Sequence, residues 1–239
     1  EIHDAIRGIK GSWEKTMKNI SSLIQAGVPV RVNIVANYQN FNEVKTLSDY
    51  LYNKIGVTSI AIGSIFDVGH QKVDGLKTVD QFELSTLQAD IQSNIFGRDL
   101  ASIRKSVDDT PTPEGHNGCG IGQDMIFLSS WGEYGLCPVL TPRESHEFLL
   151  GNLYNDSFED VARKFLSFQN SNSTTCSNVK QCSYGSVCKG GCRARALYEH
   201  GSISAPDKNR CDFWSALDPN SKQDNELDVE SSLSAMEKS

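Results

Sequence analysis

The chain has 239 residues, and its 30 acidic residues outnumber 23 lysines and arginines to give a formal charge of −7. This balance argues against a nucleic-acid-binding surface as the main function, although a local basic patch remains compatible with it. No apolar run approaches the roughly 18 residues that a membrane helix needs. The polar start at Glu1 also lacks the apolar core of a signal peptide. We therefore expect a cytoplasmic protein with neither nucleic-acid nor membrane partners.

The first part of the chain alternates helix and strand signals. The predicted elements are a helix from Ser12 to Ala26, a strand over 28–35, a helix over 41–51 and a strand over 58–65. In the first strand, Asn33 should face opposite to Val32 and Ile34. This order predicts parallel strands covered by helices. Because two strands are too few for such a sheet, we expect the missing strands upstream of Glu1, in a longer parent protein.

The later part of the chain carries different signals. One helix is predicted within the irregular bridge over 66–118, around Phe82–Ile91. A β-hairpin is predicted from Met125 to Cys137, and a short helix from Ser157 to Phe168. The remaining Cys- and Gly-rich sequence shows little periodicity, so it needs a metal or disulfide to stabilise it. Residues 217–239 are predicted to be a flexible acidic tail.

Cysteine is the most informative residue type in this sequence. The chain has seven cysteines, and residues 1–118 contain none of them. An odd count without signs of secretion argues against a closed disulfide framework, so clustered thiols indicate metal ligands first. Thiolates suit zinc, copper(I) and iron–sulfur clusters. Structural zinc remains an alternative, although the tight Cys-x-x-Cys pairs typical of zinc knuckles are absent.

The order and spacing of the cysteines resemble a known domain. The pattern is Cys119…Gly132-x4-Cys137, then Cys182-x5-Cys188-x3-Cys192, then Cys211. It resembles the SPASM domain, the C-terminal auxiliary-cluster domain of radical S-adenosylmethionine (SAM) enzymes. The Leu-Gly-Asn at 150–152, followed by Ser157 and Glu159, is similar to a passage of the same family. Upstream, segments within 3–30 resemble the C-terminal half of the radical SAM partial barrel, so that the resemblance covers about 1–214.

The resemblance implies an α/β fold with three regions. Residues 1–110 would be the C-terminal part of a partial (β/α)6 TIM-like barrel and a bridge. Residues 111–216 would be a small SPASM domain with a β-hairpin and short helices, and 217–239 the tail. It also implies two auxiliary [4Fe–4S] clusters. Their ligands would be Cys119, Cys137 and Cys192 for the first, and Cys176, Cys182, Cys188 and Cys211 for the second.

Two departures from the family pattern affect these ligand sets. The spacing Cys176-x5-Cys182 replaces the usual Cys-x2-Cys, which makes Cys176 the least secure ligand. Pro113 stands where some members carry a further cysteine, so the first cluster would have three protein thiolates and an open iron. Some peptide-modifying members are thought to bind a substrate thiolate at such an iron. His116 or Glu114 are alternative ligands, and a solvated loop histidine is the simpler interpretation of His116.

The resemblance also implies a function and partners. The Cys-x3-Cys-x2-Cys motif that holds the SAM-cleaving cluster is absent, so the chain cannot start the radical reaction alone. Arg7 and Asn33 would lie near the SAM pocket of the full-length parent, although a surface salt bridge and a barrel-lining polar group are equally compatible interpretations. The parent would be an oxidoreductase that takes electrons from a flavodoxin or ferredoxin. It would modify a peptide or protein, with thioether crosslinking of a ribosomal peptide favoured. The alternatives are sulfatase-maturase-type oxidation of a protein residue and a non-catalytic iron–sulfur or zinc docking module.

Overall fold

The computed structural model describes residues 1–65, 77–109, 119–122, 124–140, 147–170, 175–218 and 220. The chain forms two compact units, Glu1–Asp99 and a second from Leu100 onward. This division comes one helix earlier than the boundary predicted after residue 110. The helix Leu100–Asp109 belongs to the second unit, in which the Arg104 guanidinium donates to the carbonyl of Ser183 at 3.1 Å.

The first unit alternates helices with two parallel strands. Its elements are α1 (Ile2–Arg7), α2 (Ser12–Gln25), β1 (Arg31–Ala36), α3 (Phe41–Asp49), a π-helical segment (Tyr50–Ile55), β2 (Ser59–Ser64) and α4 (Gln81–Asn94). Strands β1 and β2 pair in parallel, with Arg31 opposite Ser59 and Ala36 opposite Ser64. The helix–strand order predicted from hydrophobic periodicity is therefore confirmed. Helix α1 is an addition, since six residues are too short for a periodic signal.

The apolar side chains of the first unit meet on one face of the two strands. Ile34 and Ala36 are buried, whereas their neighbours Asn33 and Val35 are exposed. The core is completed by side chains from α3, the π-helical segment, α4 and the loops, namely Val44, Leu51, Val57, Val79, Leu84 and Ile91. The alternation predicted for β1 is thus confirmed, and Asn33 lies on the face away from this core.

Asp4 joins the first two helices. Its carboxylate accepts hydrogen bonds from the backbone N–H groups of Trp13 at 2.7 Å and Gly11 at 2.6 Å, and from the Ser12 hydroxyl at 2.8 Å. These bonds, led by that from Trp13, hold the pKa of Asp4 well below its usual 3.8. Hydrogen bonds of this kind satisfy the N–H groups that the first turn of a helix leaves unpaired.

Replacing Asp4 with alanine is expected to lower the urea midpoint of unfolding at neutral pH. Since the folded pKa lies below the unfolded one, the carboxylate stabilises the fold at neutral pH, and this contribution disappears as the pH falls below 3.8. The difference between wild type and variant should therefore stay constant from about pH 7 to about pH 5 and shrink as the pH falls below about 4. Circular dichroism would follow the unfolding, with Asp108→Ala on the exposed side of its helix as control. A difference that grows on acidification would contradict this role.

The second unit holds a small antiparallel sheet and short helices. Its elements are α5 (Leu100–Asp109), β3 (Phe127–Leu128), β4 (Glu133–Gly135), β5 (Leu149–Asn152), α6 (Phe158–Asn170), α7 (Gly185–Cys188), α8 (Arg193–His200) and α9 (Lys208–Leu217). The sheet order is β3–β4–β5. The predicted hairpin and the predicted helix α6 are confirmed, and β5 is an added strand. None of the helices in the described part of the chain is long and apolar enough to cross a membrane.

The core of the second unit packs the sheet against α6 and α8. Its buried residues are Ile121, Leu136, Cys137, Leu140, Phe148, Leu150, Val161, Phe165 and Ala194. Cys137 is thus part of the apolar core, and Cys192 packs against it. Apart from 217, 218 and 220, the tail predicted for 217–239 lies outside the described residues.

Candidate metal centre

Four of the seven cysteines surround one cavity in the second unit. Cys176, Cys182, Cys188 and Cys211 all line a cavity of about 350 Å³. They come from three local structures: a turn that carries Cys176 and Cys182, the end of α7 for Cys188, and the first turn of α9 for Cys211. These are the four residues that the resemblance assigns to the second cluster. Cys176 is buried, so the longer spacing to Cys182 still leaves it at the cavity.

Electrostatic interactions join these four thiols. The pKa of Cys211 is raised to about 11, mainly by burial. Negative charge on Cys188, Cys176 and Cys182 raises it further. Burial also raises the pKa of Cys188, against the opposing positive charge of Arg210. Thiolates at this spacing repel one another, so the charged forms need a cation or metal centre among them.

The other three cysteines form a second set near the core. Burial raises the pKa of Cys119 and of Cys137, and in both cases negative charge on Cys192 adds to the shift. Cys119 and Cys137 also interact with each other. The backbone N–H of Leu140 donates to the Cys137 sulfur at 3.3 Å. The charges of the three residues assigned to the first cluster thus influence one another, and Cys137 accepts a backbone N–H···S hydrogen bond.

Glycines let the chain pass close to Cys176 and Asp207. A Cβ on Gly190 would lie 3.1 Å from the Cβ of Cys176, and one on Gly191 would lie 2.6 Å from a carboxylate oxygen of Asp207. Gly191 has a φ of 69°, a left-handed conformation that glycine adopts without strain. Both residues lie between Cys188 and Cys192, so the close approach is built into the segment that joins the two sets.

The donor chemistry of these sets fits iron–sulfur clusters. Four thiols around one cavity match the four cysteine ligands of a [4Fe–4S] cluster, and three thiols leave one iron for another ligand. Among the described residues, no three His, Cys, Asp or Glu side chains converge closely enough to hold a single metal ion. None of the seven cysteines forms a disulfide.

Asp207 is a functional candidate that the sequence analysis missed. It is 2% exposed, and its carboxylate accepts from the backbone N–H of Cys192 at 2.7 Å and from the Arg195 guanidinium at 3.1 Å. It occupies the position before α9 but directs its side chain to Cys192 instead of capping that helix. Asp is a preferred residue at the N-cap of a helix, so a sequence analysis that predicted α9 would have singled out Asp207. Through Asp207, the helix that carries Cys211 is tied to the residue that belongs to the other set.

Replacing Asp207 with alanine is expected to destabilise the second unit and reduce iron retention at both sets. It leaves the largely buried Arg195 without its carboxylate, and breaking such a pair costs about 3–5 kcal/mol. The matched control is Asp212→Ala on the same helix, since Asp212 pairs with the exposed Lys208 and such pairs contribute at most about 1 kcal/mol. Thermal unfolding and iron content would be measured for both variants. Equal stability and iron content in the two would contradict this role.

The remaining predicted site residues lie elsewhere. Arg7 is exposed at the end of α1, and Asn33 is exposed on β1. Both belong to the first unit, and their assignment to a SAM pocket stays a prediction. Pro113, Glu114 and His116, which bear on the open position of the first cluster, lie outside the described residues.

Curated relatives share sequence with this chain. No protein-family profile matches it. It is 28% identical over 167 residues to the antilisterial bacteriocin subtilosin biosynthesis protein AlbA of Bacillus subtilis, covering 67% of this chain and 34% of AlbA. It is 26% identical over 229 residues to the AdoMet-dependent heme synthase of Nitratidesulfovibrio vulgaris, covering 86% of the chain and 60% of that enzyme. The sporulation killing factor maturation protein SkfB of Bacillus subtilis is 25% identical over 161 residues, covering 66% of this chain and 37% of SkfB.

A solved structure shares the fold. The structure "Native anSMEcpe with bound AdoMet" superposes with a TM-score of 0.58 at 14% identity, over 90% of this chain and 62% of that one. The mixed α/β fold is therefore shared with an AdoMet-bound protein. The matches span about a third to three-fifths of the length of the curated relatives. Together, these matches confirm the resemblance to radical SAM/SPASM enzymes that the cysteine spacing predicts.

Proposed function

We propose that this chain, a relative of the radical SAM/SPASM enzymes, is the C-terminal portion of an enzyme that modifies a peptide or protein side chain. In this proposal, residues from about 111 form the SPASM domain and the first unit forms the end of the partial barrel. The observation that carries it is the gathering of Cys176, Cys182, Cys188 and Cys211 around one cavity. The names of two relatives, a bacteriocin biosynthesis protein and a maturation protein, favour ribosomal peptides as the substrate class.

Each residue set has a separate task in this proposal. The cavity thiols would hold one [4Fe–4S] cluster, and Cys119, Cys137 and Cys192 would hold another. When bound, such clusters supply one-electron transfer or an iron position for a substrate thiolate. Burial of Cys137 in the apolar core excludes water from its sulfur, and Asp207 fixes the backbone of Cys192. Arg7 and Asn33 would lie near the SAM pocket of the full-length parent, with a flavodoxin or ferredoxin as electron donor.

Electron paramagnetic resonance tests the peptide-modifying proposal. The chain would be reconstituted anaerobically with iron and sulfide, reduced, and mixed with a short synthetic peptide that contains a single cysteine. If the first cluster has an open iron, the peptide thiolate should change its signal, while a matched peptide with serine in that position should not. Identical spectra with both peptides would contradict thiolate binding. Oxidation of a protein side chain, as in sulfatase maturation, would use the same two sites.

AdoMet-dependent haem formation is a second candidate. The observation that favours it is the extent of the match to the N. vulgaris heme synthase, 229 residues against 167 for AlbA. Haem, the product of that reaction, should bind this chain, and the Soret absorbance of the haem should shift in a saturable manner. Titration with haem therefore separates the two candidates: saturable binding favours haem chemistry, and its absence together with a peptide response favours peptide modification.

A further inference from the structure

Arg193 is a buried arginine with incomplete hydrogen bonding. It follows Cys192 directly and has 0% exposure at the start of α8. One terminal nitrogen, Nη1, donates to the carbonyls of Ile203 at 2.9 Å and Ala205 at 2.7 Å. The other two nitrogens, Nε and Nη2, are buried and have no hydrogen-bond partner among the described residues. A hydrogen-bond acceptor for these two nitrogens would therefore have to come from outside the described protein atoms.

A buried guanidinium in this state requires an explanation. Arginine is almost never fully buried unless it is paired, and an unpartnered charged group in the interior costs several kcal/mol. The carbonyls of Ile203 and Ala205 are neutral acceptors and do not compensate its charge. None of the ion pairs among the described residues includes Arg193. The missing partner should therefore be negatively charged and should accept hydrogen bonds.

The position of Arg193 identifies that partner. Its Nη2 lies 3.7 Å from the point that a Cβ on Gly190 would occupy, and the same point is 3.1 Å from the Cβ of Cys176. The positive charge of Arg193 also lowers the pKa of Cys119 against the larger effect of burial. The guanidinium therefore lies near Cys176 of the cavity set, and Arg193 directly follows Cys192 of the other set. Iron–sulfur clusters with thiolate ligands are anionic and carry sulfur atoms that accept hydrogen bonds.

We infer that Arg193 contacts the bound iron–sulfur clusters and that its Nε and Nη2 donate hydrogen bonds to their sulfur atoms. This inference rests on the proposed function. Reduction adds one electron, and thus one negative charge, to a cluster without breaking a bond. A fixed positive charge and N–H···S bonds stabilise that reduced form, so Arg193 raises the reduction potential. Its place beside both cysteine sets gives the two clusters a common source of this stabilisation.

Two substitutions of Arg193 test the inference. Arg193→Met keeps an unbranched apolar side chain and removes the charge and all donors. Arg193→Lys keeps the charge but replaces the rigid fork with a single nitrogen. The matched control is Arg163→Met, because Arg163 is largely exposed on α6 and pairs with Asp160. Each protein would be reconstituted anaerobically, and the reduced fraction would be followed by electron paramagnetic resonance as the solution potential is varied.

We expect Arg193→Met to lower the ratio of reduced to oxidised cluster at least tenfold at the wild-type midpoint, with iron content unchanged. For a one-electron couple this corresponds to about 59 mV. Arg193→Lys should give a smaller shift in the same direction, and Arg163→Met should titrate like wild type. A residue with a merely structural role would alter the iron content or the melting temperature without moving the potential.

Several results would overturn the role of Arg193. One is an Arg193→Met protein that holds the wild-type iron content and titrates like wild type. If circular dichroism shows that this variant is unfolded, Arg193→Lys carries the test, and an unchanged potential at full iron content overturns the assignment. These results differ from failure of the proposed function, in which the wild-type chain itself takes up no iron and sulfide.

Discussion

Cys188→Ala should remove about four of an expected eight irons per chain and leave the other set loaded, because four thiolates hold a [4Fe–4S] cluster. Cys188 lines the cavity together with three other thiols, and it lies at the end of α7, where its backbone N–H donates to the carbonyl of Tyr184 at 2.7 Å. Removing its sulfur leaves three ligands at a site built for four. Cys137→Ala should cause the complementary loss, since Cys137 belongs to the set beside the apolar core.

Comparing the two cysteine variants tests whether the two cysteine sets bind iron independently. Iron, acid-labile sulfide and the visible absorbance of each protein would be measured after identical anaerobic reconstitution. The matched control is Ser186→Ala, an exposed position on the same short helix as Cys188. Loss of all iron from both variants would indicate one shared centre and contradict two sites. Full iron content in Cys188→Ala would remove Cys188 from the ligand set.

Gly185→Ala should disrupt the cavity set without removing any sulfur. A Cβ on Gly185 would clash with the backbone carbonyl oxygen of Val179, so the backbone itself must move. Val179 belongs to the turn that carries Cys176 and Cys182, and Gly185 begins the helix that ends at Cys188. The added methyl group therefore pushes two cavity thiols away from the third. Overpacking of this kind typically costs about 1–3 kcal/mol.

The expected result for Gly185→Ala is the iron loss of Cys188→Ala together with a lower melting temperature. Gly63→Ala is the matched control, because a Cβ there would meet no atom within 4 Å. Both variants would be compared with wild type by iron content and by thermal unfolding. A Gly185→Ala protein that keeps all its iron and melts like wild type would show that the turn and α7 need not be packed this closely for cluster binding.

Local sequence patterns predicted much of the first unit. Apolar spacing identified α2 and α4, and β-branched residues identified β1, because tertiary contacts there follow the same periodicity as the chain. The cysteine pattern likewise grouped Cys176, Cys182, Cys188 and Cys211 as one ligand set, and these four thiols do line one cavity. The departure at Cys176 proved compatible with the cavity because the turn over 176–182 folds back on itself.

The remaining features depend on contacts between distant positions. Helices α8 and α9 escaped prediction because cysteines, glycines and charged residues interrupt their apolar periodicity. In α9, burial of Phe213, Trp214 and Leu217 defines the packed face, and that face is visible only once the neighbouring elements are in place. The role of Asp207 required knowing that the chain returns to Cys192 fifteen residues later. Arg193 could not be distinguished from a surface arginine, because burial of a charge has no local sequence signature.

Iron, acid-labile sulfide and zinc per chain, measured after anaerobic reconstitution of the wild-type protein, test the central claim most directly. Two [4Fe–4S] clusters predict about eight irons and about eight sulfides per chain, with zinc negligible. About four of each would leave a single site and contradict the pair. One or two zinc ions without sulfide would contradict the redox account and identify the second unit as a structural zinc module.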